Sequence, residues 1–65
     1  MKINRAKFDV VRARACMGAA DFEKAGIPRG TLSRAMSGRG LKPETAGRIA
    51  KALGVDVTEI IETVN

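Results

Sequence analysis

Apolar residues recur along the chain at the spacing of a helix. Near the start, Phe8, Val11 and Ala15 lie three and seven positions apart, which predicts an amphipathic helix over residues 5–16. Asn4 suits the N-cap of this helix, and the residues before it form a short extended arm. One face of the first helix should therefore contribute to the core.

A second clear pattern lies in the C-terminal third of the chain. Pro43 suits the first turn of a helix and Gly54 suits its end. Between them, four apolar residues occupy positions i, i+3, i+4 and i+7: Ala46, Ile49, Ala50 and Leu53. This pattern predicts an amphipathic helix with a wide apolar stripe.

The residues after that helix predict one more short helix. Asp56 followed by Glu59 resembles a capping box, and the helix would run from Ile60 to about residue 63. Apolar residues here fall on two adjacent faces. They form either a wide inward stripe or a surface for a second subunit, and the residues available for a homodimer are Val57, Ile61 and Val64.

The middle of the chain reads as two helices joined by a tight turn, over residues 19–25 and 28–37. Phe22 and Ala25 would face inward from the first of these helices. Gly26 can take the positive φ that ends a helix. The sequence therefore predicts a compact corner, which Ile27 fills.

The helix over 28–37 has one narrow apolar edge, formed by Leu32, Ala35 and Met36. Its remaining residues are basic, small or polar: Arg29, Gly30, Thr31, Ser33 and Arg34. Such a helix can enter a DNA major groove, because Arg bonds guanine in a bidentate manner and Gly allows close backbone approach. A helical bundle whose solvated face is basic explains this stretch equally well.

The charge distribution favours a polyanionic partner. The chain has 65 residues, which predicts one domain, and a formal net charge of +5. Residues 1–42 contain ten Lys or Arg and three Asp or Glu, whereas residues 43–65 contain two and four. The basic part includes the helix over 28–37 and the loop over 38–42, where Leu41 should anchor in the core. A solvated charged surface is the alternative.

The composition argues against catalysis and metal binding. There is no histidine, and the single cysteine, Cys16, has no base to activate it, so we expect a small core residue rather than a catalytic thiol. No nucleotide-binding glycine fingerprint is present. We expect a protein that is not an enzyme and binds no metal, cofactor or small-molecule ligand. Charges near the start and the lack of a long apolar run predict a soluble, cytoplasmic protein.

The two helices over 19–37, followed by Pro-Glu-Thr-Ala-Gly-Arg-Ile-Ala-Lys-Ala-Leu-Gly-Val, resemble the Cro/C1-type helix-turn-helix family. The resemblance covers residues 5–62 and is most specific over 26–38 and 49–55. It implies an all-α, five-helix, lambda-repressor-like fold. It also implies a transcriptional regulator of bacterial, phage or mobile-element origin that binds double-stranded DNA.

The resemblance implies roles for particular residues. Base-reading positions fall on Arg29, Gly30, Ser33 and Arg34, of which Arg29 is the better candidate for guanine. Phosphate-binding positions fall on Thr31, Arg39 and Lys42.

The sequence departs from the family pattern in three places. Measured back from Gly26, the second helix is one residue short, because Phe22 best fills the position that is usually Leu and the Ala that permits close helix contact has no clean equivalent. A Gln that binds phosphate is replaced by Gly18 or Ala19, so that only backbone N–H groups remain at the start of that helix. Met36 stands where the family often has a Glu that pairs with an Arg of the first helix. The partner of Arg12 is therefore left open.

Two further functions compete with DNA reading. A helical protein-interaction module, such as an antitoxin-like or adaptor domain, would keep the fold but normally shows an aromatic anchor. RNA binding normally needs exposed stacking side chains, whereas the two aromatic residues, Phe8 and Phe22, are expected to be buried.

Overall fold

A computed structural model describes residues 1–62 of the chain, and this part is helical, as predicted. The four α-helices are α1 (Arg5–Ala15), α2 (Ala19–Lys24), α3 (Arg29–Met36) and α4 (Pro43–Leu53). A single 3₁₀ turn, Val57–Glu59, follows them. Each predicted helix up to α4 therefore exists, with ends that differ from the prediction by no more than one residue. None of these helices is long and apolar enough to cross a membrane.

The predicted caps of the first and fourth helices are confirmed. The Asn4 side chain accepts a hydrogen bond from the Lys7 N–H at 3.0 Å, so that it satisfies one of the free N–H groups at the start of α1. Gly54 has a φ of 73° and ends α4. Its left-handed conformation lets the Val55 N–H bond the Ala50 carbonyl at 3.1 Å, which is the pattern of a Schellman motif.

The end of α1 contradicts two predictions. Cys16 is exposed rather than buried, and Ala15 is exposed as well. Cys16 takes a φ of 54°, which turns the chain out of the helix and allows the Met17 N–H to bond the Arg12 carbonyl at 3.1 Å. This Schellman motif has Cys where glycine is usual. Because of the turn, Met17 rather than Cys16 packs against the core.

The corner between α2 and α3 forms as predicted, with one exception. Phe22 is fully buried and Ile27 lies beneath the corner, where its N–H bonds the Phe22 carbonyl at 2.9 Å. Gly26 has a φ of 90°, as expected of the residue that ends the helix. Ala25, however, is exposed and does not share an inward face with Phe22, because α2 ends at Lys24.

The core joins all four helices. Phe8 of α1 and Phe22 of α2 lie with their ring centroids 5.9 Å apart and their planes inclined at 32°. Leu32 of α3 is buried, and Leu41 anchors the loop after α3 in the core as predicted. The helix α4 contributes the largest set of buried side chains, namely Ala46, Ile49, Ala50 and Leu53.

The C-terminal segment is not the predicted fifth helix within the described residues. Asp56 begins the 3₁₀ turn, but its side chain accepts hydrogen bonds from the Thr58 N–H and hydroxyl, so Thr58 is the capping partner rather than Glu59. These bonds lower the pKa of Asp56. After the turn, Ile60 is fully buried and the chain extends rather than coils.

The N-terminal arm and residues 60–62 lie side by side, which explains why the predicted helix does not begin at Ile60. Ile3 and Ile61 form an antiparallel bridge, and the Asn4 N–H bonds the Ile60 carbonyl at 2.8 Å. On its other side, the arm holds the loop, because the Leu41 N–H bonds the Met1 carbonyl at 2.6 Å. Backbone groups that a helix would pair internally are thus paired with the N-terminal arm.

Two of the three residues suggested for a homodimer lie in this region. Val57 and Ile61 are half-buried and pack against the core. Each has only part of its side chain left for a partner. The third, Val64, lies outside the described residues.

Candidate nucleic-acid interface

The outer face of α3 is built by helical geometry. Leu32 and Ala35 are buried and Met36 is half-buried, so these three residues define the edge that packs on the core. At about 100° per residue, Gly30 and Arg34 lie opposite that edge. Both are exposed, as are the neighbouring Ser33 and Ser37, whereas Thr31 lies at the flank and is half-buried.

A groove of about 530 Å³ runs between α3 and the start of α4. It brings together Thr31 and Arg34 of α3 with Lys42, the residue that precedes α4. The other residues that line it are Pro28, Gly30, Leu41 and Thr45. The groove therefore has two cations and two hydroxyl groups in its walls, and no carboxylate.

A second hollow, of about 350 Å³, lies on the other side of Arg34. Its lining comprises Gly30, Ser33, Arg34, Ser37 and Arg39. Arg34 and Gly30 line both hollows. Six of the seven residues that the sequence suggested for DNA contact thus line one or both hollows, and the positively charged ones come from two places in the chain: Arg34 from α3, and Arg39 and Lys42 from the loop that precedes α4.

Arg29 is the exception, because it lines neither hollow. Its Nε donates a hydrogen bond to Oε1 of Glu23, which lies in α2 on the other side of the corner. The bond and the opposite charge of Glu23 raise the pKa of Arg29. The Arg29 side chain remains 75% exposed. Sequence reasoning missed Glu23; the signal was a carboxylate six residues before Arg29, just ahead of the corner.

A cluster of charged residues on α1 supports the C-terminal end of α3. Nε of Arg5 donates to both carboxylate oxygens of Asp9 at 3.2 Å, and Nη1 of Arg5 donates to the Met36 carbonyl at 3.1 Å. Asp9 also pairs with Arg12 at 3.5 Å. The last turn of α3 is therefore tied to the first helix through a backbone carbonyl.

The same cluster supplies the partner of Arg12 that the sequence left open. In addition to its ion pair with Asp9, the Arg12 guanidinium lies over the Phe8 ring, 5.7 Å from the ring centroid. Nη1 of Arg12 is also 4.0 Å from Sδ of Met36. Asp9 thus takes the role that a Glu at position 36 would have. Compared with the family pattern, the carboxylate that pairs with Arg12 therefore comes from α1 instead of α3.

The start of α2 has fewer free backbone N–H donors for an anion than the sequence suggested. The Gly18 N–H, one of the two candidate backbone donors, bonds the Asp21 side chain at 2.8 Å. This N–H therefore already has a partner within the protein, and a carboxylate beside it disfavours an anion. Elsewhere in residues 1–62, no three His, Cys, Asp or Glu side chains are grouped so that they could hold a metal ion.

Comparison with known proteins points the same way as this geometry. A family whose description is helix-turn-helix has a sequence model that matches residues 22–60, from α2 to the end of the 3₁₀ turn. Neither the curated proteins nor the solved structures include a match to the chain. The family match spans more than half of the 65 residues. The chain therefore belongs to the Cro/C1-type helix-turn-helix family of DNA-binding domains.

Proposed function

We propose that the protein is a sequence-specific transcriptional regulator of bacterial, phage or mobile-element origin, which binds double-stranded DNA by placing α3 in the major groove. The observation that carries this proposal is the surroundings of Arg34. Arg34 lies between two hollows whose walls contribute Arg39 on one side and Lys42 on the other, with no carboxylate in either lining. A polyanion that follows this surface would meet cations along its whole path. The protein would act by occupying its site rather than by catalysis.

The proposed contacts divide into two classes. Those that read bases come from the exposed face and first turn of α3, where side chains reach base edges: Arg29, Gly30, Ser33 and Arg34. Those that bind phosphate lie at the rim of the hollows: Thr31, Arg39 and Lys42. Gly30 has no side chain to keep a partner away. Apart from its own stretch of α3, nothing lies within 4 Å of where a Cβ would be, so DNA could approach the backbone closely there.

Binding-site selection tests the proposal. The purified protein is incubated with a random duplex library, and bound DNA is amplified and sequenced over several rounds. We expect enrichment of one short motif, because α3 presents both Arg and small polar donors. Binding without any enriched motif would contradict sequence-specific reading. Absence of binding to duplex DNA would favour a protein-interaction module instead.

Salt dependence tests the phosphate contacts separately. Lys42→Ala should weaken binding to every duplex by a similar factor and reduce the slope of log K against log salt by about 0.9, because one fewer counterion is released. Fluorescence titrations at several salt concentrations measure the slope. Lys51→Ala is the matched control, since Lys51 is an exposed lysine of α4 that lines neither hollow. Equal slopes for the parent and Lys42→Ala would exclude Lys42 as a phosphate contact.

We further expect two copies of the protein on each selected site. One short helix reads only a few base pairs, and two-fold related copies would read half-sites about one helical turn apart. Val57, Ile61 and Val64 remain the proposed contacts between the copies. Analytical ultracentrifugation of the protein with a selected duplex measures the stoichiometry. A selected motif without two-fold symmetry that binds one copy would contradict the dimer.

A further inference from the structure

We propose that Glu23 is a positioning residue that orients Arg29 for base reading, so that Glu23 determines selectivity without touching DNA. The inference rests on the proposed function, because it assigns a role to Glu23 only if α3 reads bases. The observation behind it is the ion pair between Oε1 of Glu23 and Nε of Arg29. Within residues 1–62, this is the one ion pair that joins α2 to α3.

The backbone on both sides of the corner holds the two residues in place. Glu23 follows Phe22, which is fully buried, and its carbonyl accepts the Gly26 N–H at 3.0 Å. Arg29 follows Pro28, whose ring fixes φ, and the Pro28 carbonyl accepts the Leu32 N–H at 3.0 Å. The backbone on each side of the corner is thus held by hydrogen bonds that do not involve the ion pair.

The choice of nitrogen matters for recognition. A guanidinium has five N–H donors, and a guanine edge accepts two of them through O6 and N7. Because Glu23 takes the single Nε donor, the four donors on Nη1 and Nη2 remain for the base. An unrestrained side chain that is 75% exposed would populate several rotamers and lose that freedom on binding. Because the ion pair already restricts the Arg29 side chain in the free protein, less conformational entropy is lost when Arg29 binds a base.

The negative charge of Glu23 should affect affinity and selectivity in opposite directions. A carboxylate that lies beside a DNA-binding helix repels phosphate and so weakens binding to any sequence. Glu23 should therefore lower general affinity while it raises selectivity. A residue that only stabilised the fold would change both in the same direction.

A second explanation of the ion pair is stabilisation of α3. That helix has no acidic residue in its first turn, and Arg29 at its N-terminus opposes the helix dipole. The Glu23 carboxylate would relieve this repulsion. This explanation predicts an effect on melting temperature and none on the choice between bases, so the two roles are separable.

The test compares Glu23→Ala with Glu23→Gln. Affinities are measured for the selected site, for each of its single-base variants and for a random duplex. For Glu23→Ala, we expect binding to the random duplex to tighten about threefold at low salt, because one nearby negative charge is lost. We also expect discrimination at one base pair to fall about three- to tenfold, since Arg29 then has to be ordered on binding.

Glu23→Gln separates orientation from charge. The amide oxygen still accepts a hydrogen bond from Nε, but the negative charge is gone. We therefore expect this variant to bind the random duplex as tightly as Glu23→Ala while it keeps most of the discrimination of the parent. Both variants should fold, since the side chain of Glu23 is exposed, and thermal melting checks this first.

Arg29→Ala completes a double-mutant cycle. In that background, Glu23→Ala should no longer change discrimination at any base pair, because there is no side chain left to orient. The Nε–H signal of Arg29 in ¹H–¹⁵N spectra of the free protein provides a readout without DNA: it should exchange slowly with water in the parent and rapidly in Glu23→Ala.

Three outcomes would overturn the inference. If the parent selects a motif but Glu23→Ala discriminates as well as the parent, Glu23 does not position Arg29 and the proposed function stands. If Glu23→Ala changes discrimination equally with and without Arg29, the effect does not pass through Arg29. If the parent selects no motif, the proposed function fails and this inference fails with it.

Discussion

Phe22→Ala should lower the free energy of unfolding by about 3–5 kcal/mol, the range seen when a buried aromatic side chain is removed. Phe22 is fully buried and its ring packs on that of Phe8. It is also the only buried residue of α2, so its loss removes most of what holds that helix in place. A domain of this size has little stability beyond that amount, and a large unfolded fraction is expected at 25 °C. Urea denaturation followed by circular dichroism measures the change.

Phe22→Leu and Lys24→Ala serve as comparisons for that result. The leucine retains most of the apolar surface and should cost clearly less than the alanine. Lys24 lies in the same helix but is exposed, so its replacement should be within about 0.5 kcal/mol of the parent. If Phe22→Ala unfolded at the same urea concentration as the parent, the packing of α2 described above would be wrong.

Arg34→Ala should have the largest effect of any single substitution on DNA binding. Arg34 lies opposite the core edge of α3 and lines both hollows, between the proposed phosphate contacts Arg39 and Lys42, so it is the side chain best placed to reach a base. Losing a bidentate base contact costs about 1–3 kcal/mol and relaxes selectivity at one base pair. Affinities for the selected site and its single-base variants measure both effects. This central position makes Arg34 at least as strong a candidate as Arg29, which the sequence alone favoured.

Arg48→Ala is the matched control for Arg34→Ala. Arg48 is an exposed arginine of α4 and lines neither hollow, so its replacement removes the same charge at another place. We expect a small, uniform loss of affinity from that variant. Uniform weakening by Arg34→Ala across all single-base variants would make Arg34 a phosphate contact, and no weakening would remove it from the interface.

Most of the helices could be predicted because their signals are local. The apolar spacing in α4, the Asn4 cap of α1 and the glycines that end α2 and α4 each act within a few residues of where they occur. The same holds for the narrow apolar edge of α3, since the spacing of Leu32 and Ala35 determines which face packs inward. Local signals also produced the errors. The apolar spacing placed Ala15 on the inward face of α1, and the predicted helix continued one residue too far, to Cys16, where the chain turns.

The C-terminal segment shows where local reasoning ends. Residues 56–60 carry a capping signal, and by themselves they suit a helix. The N-terminal arm provides backbone partners for Ile60 and Glu62, and this long-range pairing replaces the helix after one 3₁₀ turn. No pattern within the segment indicates a partner that lies more than fifty residues away.

The sequence by itself determined the fold class, the helix-turn-helix and which residue types lie on the outer face of α3, because all three depend on the period of the helix and on short turns. Only the tertiary structure decided how those residues are arranged. It grouped Arg34 with Arg39 and Lys42, paired Arg29 with Glu23, and connected Arg12 to Asp9 and Met36. Each side chain is long and flexible, with several partners in reach along the chain. The way in which the helices pack around Phe8 and Phe22 determines which of these partners lies close to each side chain.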